Sequence, residues 1–233
     1  MGQKINPTSL RIGITKKWPS RWFLKRGLVP RLLEEDEIIR DVIKKKIGQA
    51  GIAGVEIERT STRTHINIKA AKPGFVIGRG GKGIEDLKNE LSKDIVKLRK
   101  KNNKPLVFNL NINIEELKRS EVSALATAQQ IAFDIEKRFP FRTVMRRQLE
   151  ALKQNREVKG AKIKLSGRLN GAEISRSEWV IHGRMPLQTL RSNIDYGEAT
   201  SFNTYGTVGI KVWIYKGEVF SEKSSEGKRA GNF

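Results

Sequence analysis

Four of the six residues from Gly78 to Gly83 are glycine, a density that no other stretch of the chain matches. The segment lies between the apolar run Phe75-Val76-Ile77 and a stretch in which Ile84, Leu87, Leu91, Ile95 and Leu98 recur every three or four positions. That recurrence predicts an amphipathic helix starting near Ile84, so the glycines link an apolar segment to the first turn of a helix. Such a link carries almost no side-chain cover and is free to adopt positive φ. Its N–H groups are open to the close approach of a phosphate backbone, and Arg79 and Lys82 add charge beside them. Upstream, Thr64-His65-Ile66-Asn67-Ile68-Lys69 alternates polar and apolar residues as a half-buried strand does.

Two phosphate-handling folds use a link of this kind. Gly78, Gly80 and Gly83 match G-x-G-x-x-G, but a dinucleotide fold wants an acidic residue for the ribose about 20 residues further on. The sequence there reads Lys97-Leu98-Arg99-Lys100-Lys101. The next strand alternates Phe108, Leu110, Ile112 and Ile114 with Asn109, Asn111 and Asn113, whereas a parallel strand covered on both faces is apolar throughout. Lys82 is not followed by Ser or Thr, so no Walker sequence is present. The other geometry is a G-x-x-G turn, Gly78-Arg79-Gly80-Gly81. Around it the patterning predicts a helix over Leu32–Ile47, strands at Val55–Glu58 and Ile66–Ile68 about a turn at residues 60–63, then the loop, its helix and the Asn-rich strand. This α-β-β-α-β order resembles the second topological type of KH domain, whose G-x-x-G loop clamps about four nucleotides by their backbone.

Charge narrows the partners. Lys+Arg total 46 against 25 Asp+Glu, a formal net charge of +21, which makes polyanions the natural ligands. No apolar run approaches the roughly 18 residues of a membrane span, and a chain without cysteine has neither disulfides nor thiol chemistry. These features predict a soluble intracellular polyanion binder with no membrane contact. Enzymatic chemistry finds no support. His65 and His182 stand alone in strand-like runs, Glu115-Glu116 reads as a linker, and no metal motif or nucleophile elbow is present. No cofactor and no metal are expected.

The first 33 residues carry Lys4, Arg11, Lys16, Lys17, Arg21, Lys25, Arg26 and Arg31 and no acid. They read as an extended basic arm, its aromatic residues Trp18, Trp22 and Phe23, with Leu24, marking a docking segment. Beyond the Asn-rich strand, Ser120 is a candidate N-cap for a helix with Val122, Leu125, Ala128, Ala132, Ile135 and Phe139 as its buried stripe, ended by Pro140. A second helix follows from Phe141 to about Arg156. It gathers Phe141, Val144, Met145, Leu149 and Leu152 on one side, with Arg142, Arg146, Lys153 and Arg156 as an adjacent ridge and Arg147 further round. The last third reads as strands, with alternation at Ile163–Leu169, Glu173–Ile181 and Val208–Tyr215 and breaks at Gly183 and Pro186. The predicted organisation is α+β: an arm at 1–31, a type II KH domain at 32–117, a separate α/β domain with a mixed or antiparallel sheet at 118–219, and a disordered tail at 220–233.

Four longer motifs go beyond these patterns: M-G-Q-K-I-N-P at 1–7, V-I-G-R-G-G at 76–81, S-G-R-L-N-G-A-E-I-S-R at 166–176 and T-Y-G-T-V-G-I-K-V-W-I-Y-K-G-E at 204–218. In this order they resemble the family of bacterial-type small-subunit ribosomal protein three over roughly residues 1–219. The resemblance implies a cytoplasmic protein on the head of the small ribosomal subunit. It would bind 16S-type rRNA and lie beside neighbouring head proteins where mRNA enters, assisting unwinding of the message. It implies RNA contacts by Gly78, Arg79, Gly80, Gly81 and Lys82 of the loop, with Lys4, Arg11, Lys16 and Lys17 of the arm on rRNA. The sheet of the second domain would turn its free face to a neighbour. In the family, two adjacent arginines and a lysine three positions on meet mRNA. Arg146 and Arg147 match the pair, while the lysine position holds Glu150, a departure. The alternative is a free KH-domain regulator of single-stranded RNA, which would prefer particular sequences away from the ribosome.

Overall fold

The computed structural model describes residues 4–23, 29–60, 63–101, 109–117 and 122–220. Apolar side chains gather into two separate cores. The first is built from helix α2 (Val29–Ile47), strands β2 (Ile52–Arg59), β3 (Arg63–Ala70) and β4 (Asn109–Glu116), the short helix α3 (Pro73–Ile77) and helix α4 (Lys82–Lys101). The four-residue spacing of Ile39, Ile43 and Ile47 puts one apolar stripe of α2 on the sheet, and Leu87, Leu91 and Ile95 do the same for α4. β2 and β3 pair antiparallel, β3 and β4 parallel. Leu110 is buried and Ile112 and Ile114 pack against the same core, while the asparagines between them face away. The predicted alternation thus holds. α2 begins at Val29, three residues ahead of the expected Leu32.

The arm departs from expectation. Residues 7–10 form a helical turn, α1, opened by Pro7 at its first position and capped by Asn6, whose Oδ1 accepts the Thr8 N–H at 2.9 Å. Ser20–Arg21 then adds a short parallel strand, β1, at the β2 edge of the first sheet. Over residues 4–23 the arm is folded rather than extended, because Asn-Pro supplies a helix start that charge counting does not register.

The second core lies between helices α5 (Ala124–Glu136) and α6 (Phe141–Lys153) and one face of an antiparallel sheet, ordered β6 (Arg176–Gly183), β5 (Gly160–Gly167), β8 (Gly206–Glu218), β7 (Ser192–Asn203). Phe141, Val144, Met145 and Leu152 of α6 are buried, as their spacing predicts. α5 ends at Glu136, and Arg138 turns the chain with φ 65°, which leaves Phe139 49% exposed, off the predicted stripe. β7 had no counterpart in the sequence reading. α5 lies directly on it and leaves no room for a side chain at its centre: a Cβ on Gly197 would come within 2.4 Å of the Leu125 nitrogen. Asp195 of β7 accepts the Ala124 N–H at 2.8 Å, so a sheet carboxylate satisfies the first turn of α5. Ser120, the expected cap, lies outside the described residues, as do Leu24, Phe108 and the tail beyond Phe220. The two cores meet where Gln129 of α5 accepts the Ile52 N–H at 3.0 Å. Among the described residues, no helix is long and apolar enough to cross a membrane.

Candidate nucleic-acid interface

The glycine loop is a single 3-10 turn, Arg79–Gly81, between α3 and α4. Its glycines divide into two kinds. Gly83 sits where α3 and α4 meet, and a Cβ there would lie 2.5 Å from the Val76 carbonyl oxygen, so only glycine allows the two helices to close up. Gly80 takes φ 63°, ψ 24° with open space around it, as does Gly81 at φ 81°. Gly78, at φ 69°, faces the Gly83 nitrogen. The Arg79 and Lys82 side chains are exposed and, among the described residues, neither has an ion-pair partner. Phe75 and Ile77 stand beside them, 63% and 38% exposed. Two free cations, bare backbone and an apolar shoulder suit a nucleotide chain, its phosphates at the turn.

Downstream along α4 the surface opens into a cleft of about 320 Å³ between α4 and the first residues of β3 and β4. Arg63, Lys88, Ser92, Asn109, Leu110 and Asn111 line it. The lining is polar, with two cations and no carboxylate. These residues were absent from the sequence candidates, although Lys88 and Ser92 are four apart and therefore share a helix face. Pairing them with β4 needs the fold.

Because the Gly80 side of the loop is open, Arg79→Asp with Gly80→Asp is expected to weaken RNA binding at least tenfold while far-UV circular dichroism stays unchanged. Filter binding against a mixed RNA checks the first half. Loss of the helical signal would assign the two positions to folding instead.

The four arm cations have separate fates. Lys4 and Lys17 are exposed. Arg11 is fully buried, and its guanidinium donates to the carbonyls of Ser192 (2.8 Å), Pro7 (3.0 Å), Leu187 (2.8 Å), Thr189 (2.9 Å) and Pro186 (3.4 Å). The expectation that Arg11 meets rRNA is therefore corrected: it is fully buried, and each of its three guanidinium nitrogens donates inside the protein. Lys16 is partly withdrawn, 4.0 Å from Asp195. Burial lowers its pKa, Asp195 opposes that shift and Lys216 adds to it.

On α6, Arg146 is exposed and without an ion-pair partner among the described residues. Arg147 is exposed too, but its Nη2 binds the buried carboxylate of Asp134, which also accepts from Gln130 at 3.1 Å. Glu150 is exposed one turn on. At the helix start, Arg142 and Arg176 both pair with Glu178, at 3.2 and 3.4 Å, and both lie over the Phe141 ring. The bond from Arg142 lowers the Glu178 pKa against the opposing effect of desolvation.

Comparison with known proteins matches residues 38–122 to the KH domain and residues 131–214 to the C-terminal domain of ribosomal protein S3. The small ribosomal subunit protein uS3 of Campylobacter concisus is 45% identical over 222 residues, which cover 95% of this chain and 90% of that one. Its counterpart in Desulforamulus reducens is 47% identical over 223 residues, 95% of each chain. That of Carboxydothermus hydrogenoformans is 47% identical over 227 residues, covering 97% of this chain and 96% of its own.

Proposed function

The chain belongs to the family of small ribosomal subunit protein uS3, and from that premise we propose that α6 handles mRNA where the message enters the subunit. Family membership makes it an RNA-binding structural protein of the small ribosomal subunit, not an enzyme. The finer reading is that Arg146 holds incoming single strands by their phosphates, contacts that position without reading sequence. The observation that supports it is the division of α6: one side is buried in the core, and the other leaves Arg146 exposed and uncommitted. Arg147 contributes from beside it, already half-neutralised by Asp134. Energy for opening a hairpin comes from translocation, since the chain has no nucleotide-hydrolysis motif. The exposed lysines of the arm, Lys4 and Lys17, and the loop cations Arg79 and Lys82 would neutralise 16S-type rRNA or mRNA, and other head proteins would flank the second domain.

Ribosomes carrying Arg146→Ala are expected to assemble normally and to slow at stable mRNA hairpins. Single-ribosome elongation measured with and without a hairpin checks this, and equal hairpin pauses for mutant and wild type would reject the role. Arg147→Ala is the less clean variant, because it also leaves the buried Asp134 carboxylate without its cation.

A further inference from the structure

The face of the second sheet that points away from α5 and α6 carries an ordered aromatic and cationic array. Its register sets Lys162 between Ile181 and Trp213, and Lys164 between Trp179 and Lys211, while Tyr196 pairs with Trp213 from β7. The Lys162 ammonium lies 5.1 Å from the Trp179 ring and 5.6 Å from the Trp213 ring. Tyr196 and Trp213 are 5.5 Å apart, tilted by 44°. Trp179 is 57% and Ile181 43% exposed. The Tyr196 hydroxyl donates to Glu198 at 2.9 Å, which turns the acid of this array onto a neighbour rather than onto a lysine.

Charge decides what such a face fits. Among the described residues, Lys162, Lys164 and Lys211 have no ion-pair partner, and neither does Lys4 of the arm. Desolvation lowers the Lys162 pKa, and repulsion from Lys4 and Lys164 lowers it further, so cations crowd this part of the array, while its acid, Glu198, stands opposite Lys211 at the β7 side. An apolar protein surface closing over it would bury those cations uncompensated, at a large cost. A nucleic-acid strand answers both features at once, with π-faces for the rings and phosphates for the lysines.

We propose that this outer sheet face is a stacking platform for single-stranded RNA, with bases on Trp179 and on the Trp213–Tyr196 pair and phosphates on Lys162, Lys164 and Lys211. The occupant is RNA, not the protein neighbour expected from the resemblance. The site is separate from the glycine loop and does not depend on the reading of α6.

The test uses the full-length protein and a single strand of about 12 adenylates, with an abasic strand of equal length and charge as control. Trp179→Leu is expected to lower affinity for the adenylates about tenfold and leave the abasic strand unchanged. Its melting temperature, equal to wild type, confirms an intact fold. An unchanged adenylate affinity, or equal losses on both strands, overturns the platform. In assembled small subunits, a photoreactive benzoylphenylalanine in place of Ile181 is expected to crosslink to RNA. Crosslinks to a protein, or none to RNA, overturn the assignment of the occupant.

Discussion

Arg11→Ala is expected to lower the melting temperature by about 10 °C, a loss of about 3 kcal/mol at roughly 2–4 °C per kcal/mol for a chain of this size. Arg11 is fully buried, and five carbonyl oxygens converge on it, one of them from a residue 181 positions away. Removing the guanidinium strands several buried acceptors at once, and each unsatisfied group costs about 1–3 kcal/mol before relaxation. Arg11→Lys keeps the charge but replaces a planar fork with a point donor, so it is expected to recover about half of the loss. Tryptophan fluorescence during thermal melting measures both, and limited proteolysis of the arm shows whether it has come off β7. A melting point within about 2 °C of wild type for Arg11→Ala would show that the arm is not anchored there.

Glu35→Ala is expected to destabilise the first core by about 4 kcal/mol. Glu35 and Asp36 are buried on α2, and Arg59 of β2 reaches both, at 2.8 and 2.6 Å. Arg99 of α4 closes the cluster at 3.1 Å from Glu35, and Trp22 of the arm donates its indole N–H to Asp36 at 2.9 Å. Four segments are thus tied through one ionic centre, and deleting the Glu35 carboxylate leaves Arg59 with Asp36 alone and takes from Arg99 its contact at 3.1 Å. Burial by itself would raise the Glu35 pKa, but the bonds and charges of Arg99 and Arg59 outweigh it and hold the carboxyl below its usual 4.5. A depressed folded-state pKa means that the stabilisation is full above about 4.5 and is lost as pH falls through the lower folded value. Denaturant titrations of the wild type are therefore expected to show stability declining with acid below that point. Glu35→Gln should lower stability at neutral pH and flatten the decline, and an unaltered pH profile in that variant would exclude Glu35 as its source.

Local patterning carried much of the fold. Period-four stripes in α2, α4 and α6 and the Asn-alternating β4 were legible because each element buries one face on a neighbour, and that alone dictates where Ile39, Leu91, Val144 or Leu110 must fall. β7 was illegible for the opposite reason: Gly197 and Asp195 answer to the backbone of α5, a constraint that appears only when the two elements meet. The loop candidates Gly78 to Lys82 were readable because glycine reports its backbone need directly. The cleft residues Arg63, on β3, and Lys88 and Ser92, on α4, come from elements that only the fold brings together, and were not.

The amino-acid sequence by itself determined the charge excess, the glycine turn, the helical and extended periods, and hence a two-core α+β RNA binder. Only the tertiary structure decided which cations remain for RNA. Arg11 and Arg146 look alike in one dimension, yet one is enclosed by carbonyls from distant loops and the other is left in solvent. Whether a guanidinium spends its donors inside the protein or offers them outward depends on acceptors brought near by folding, and the residue's own type and neighbours in the chain do not encode that distance.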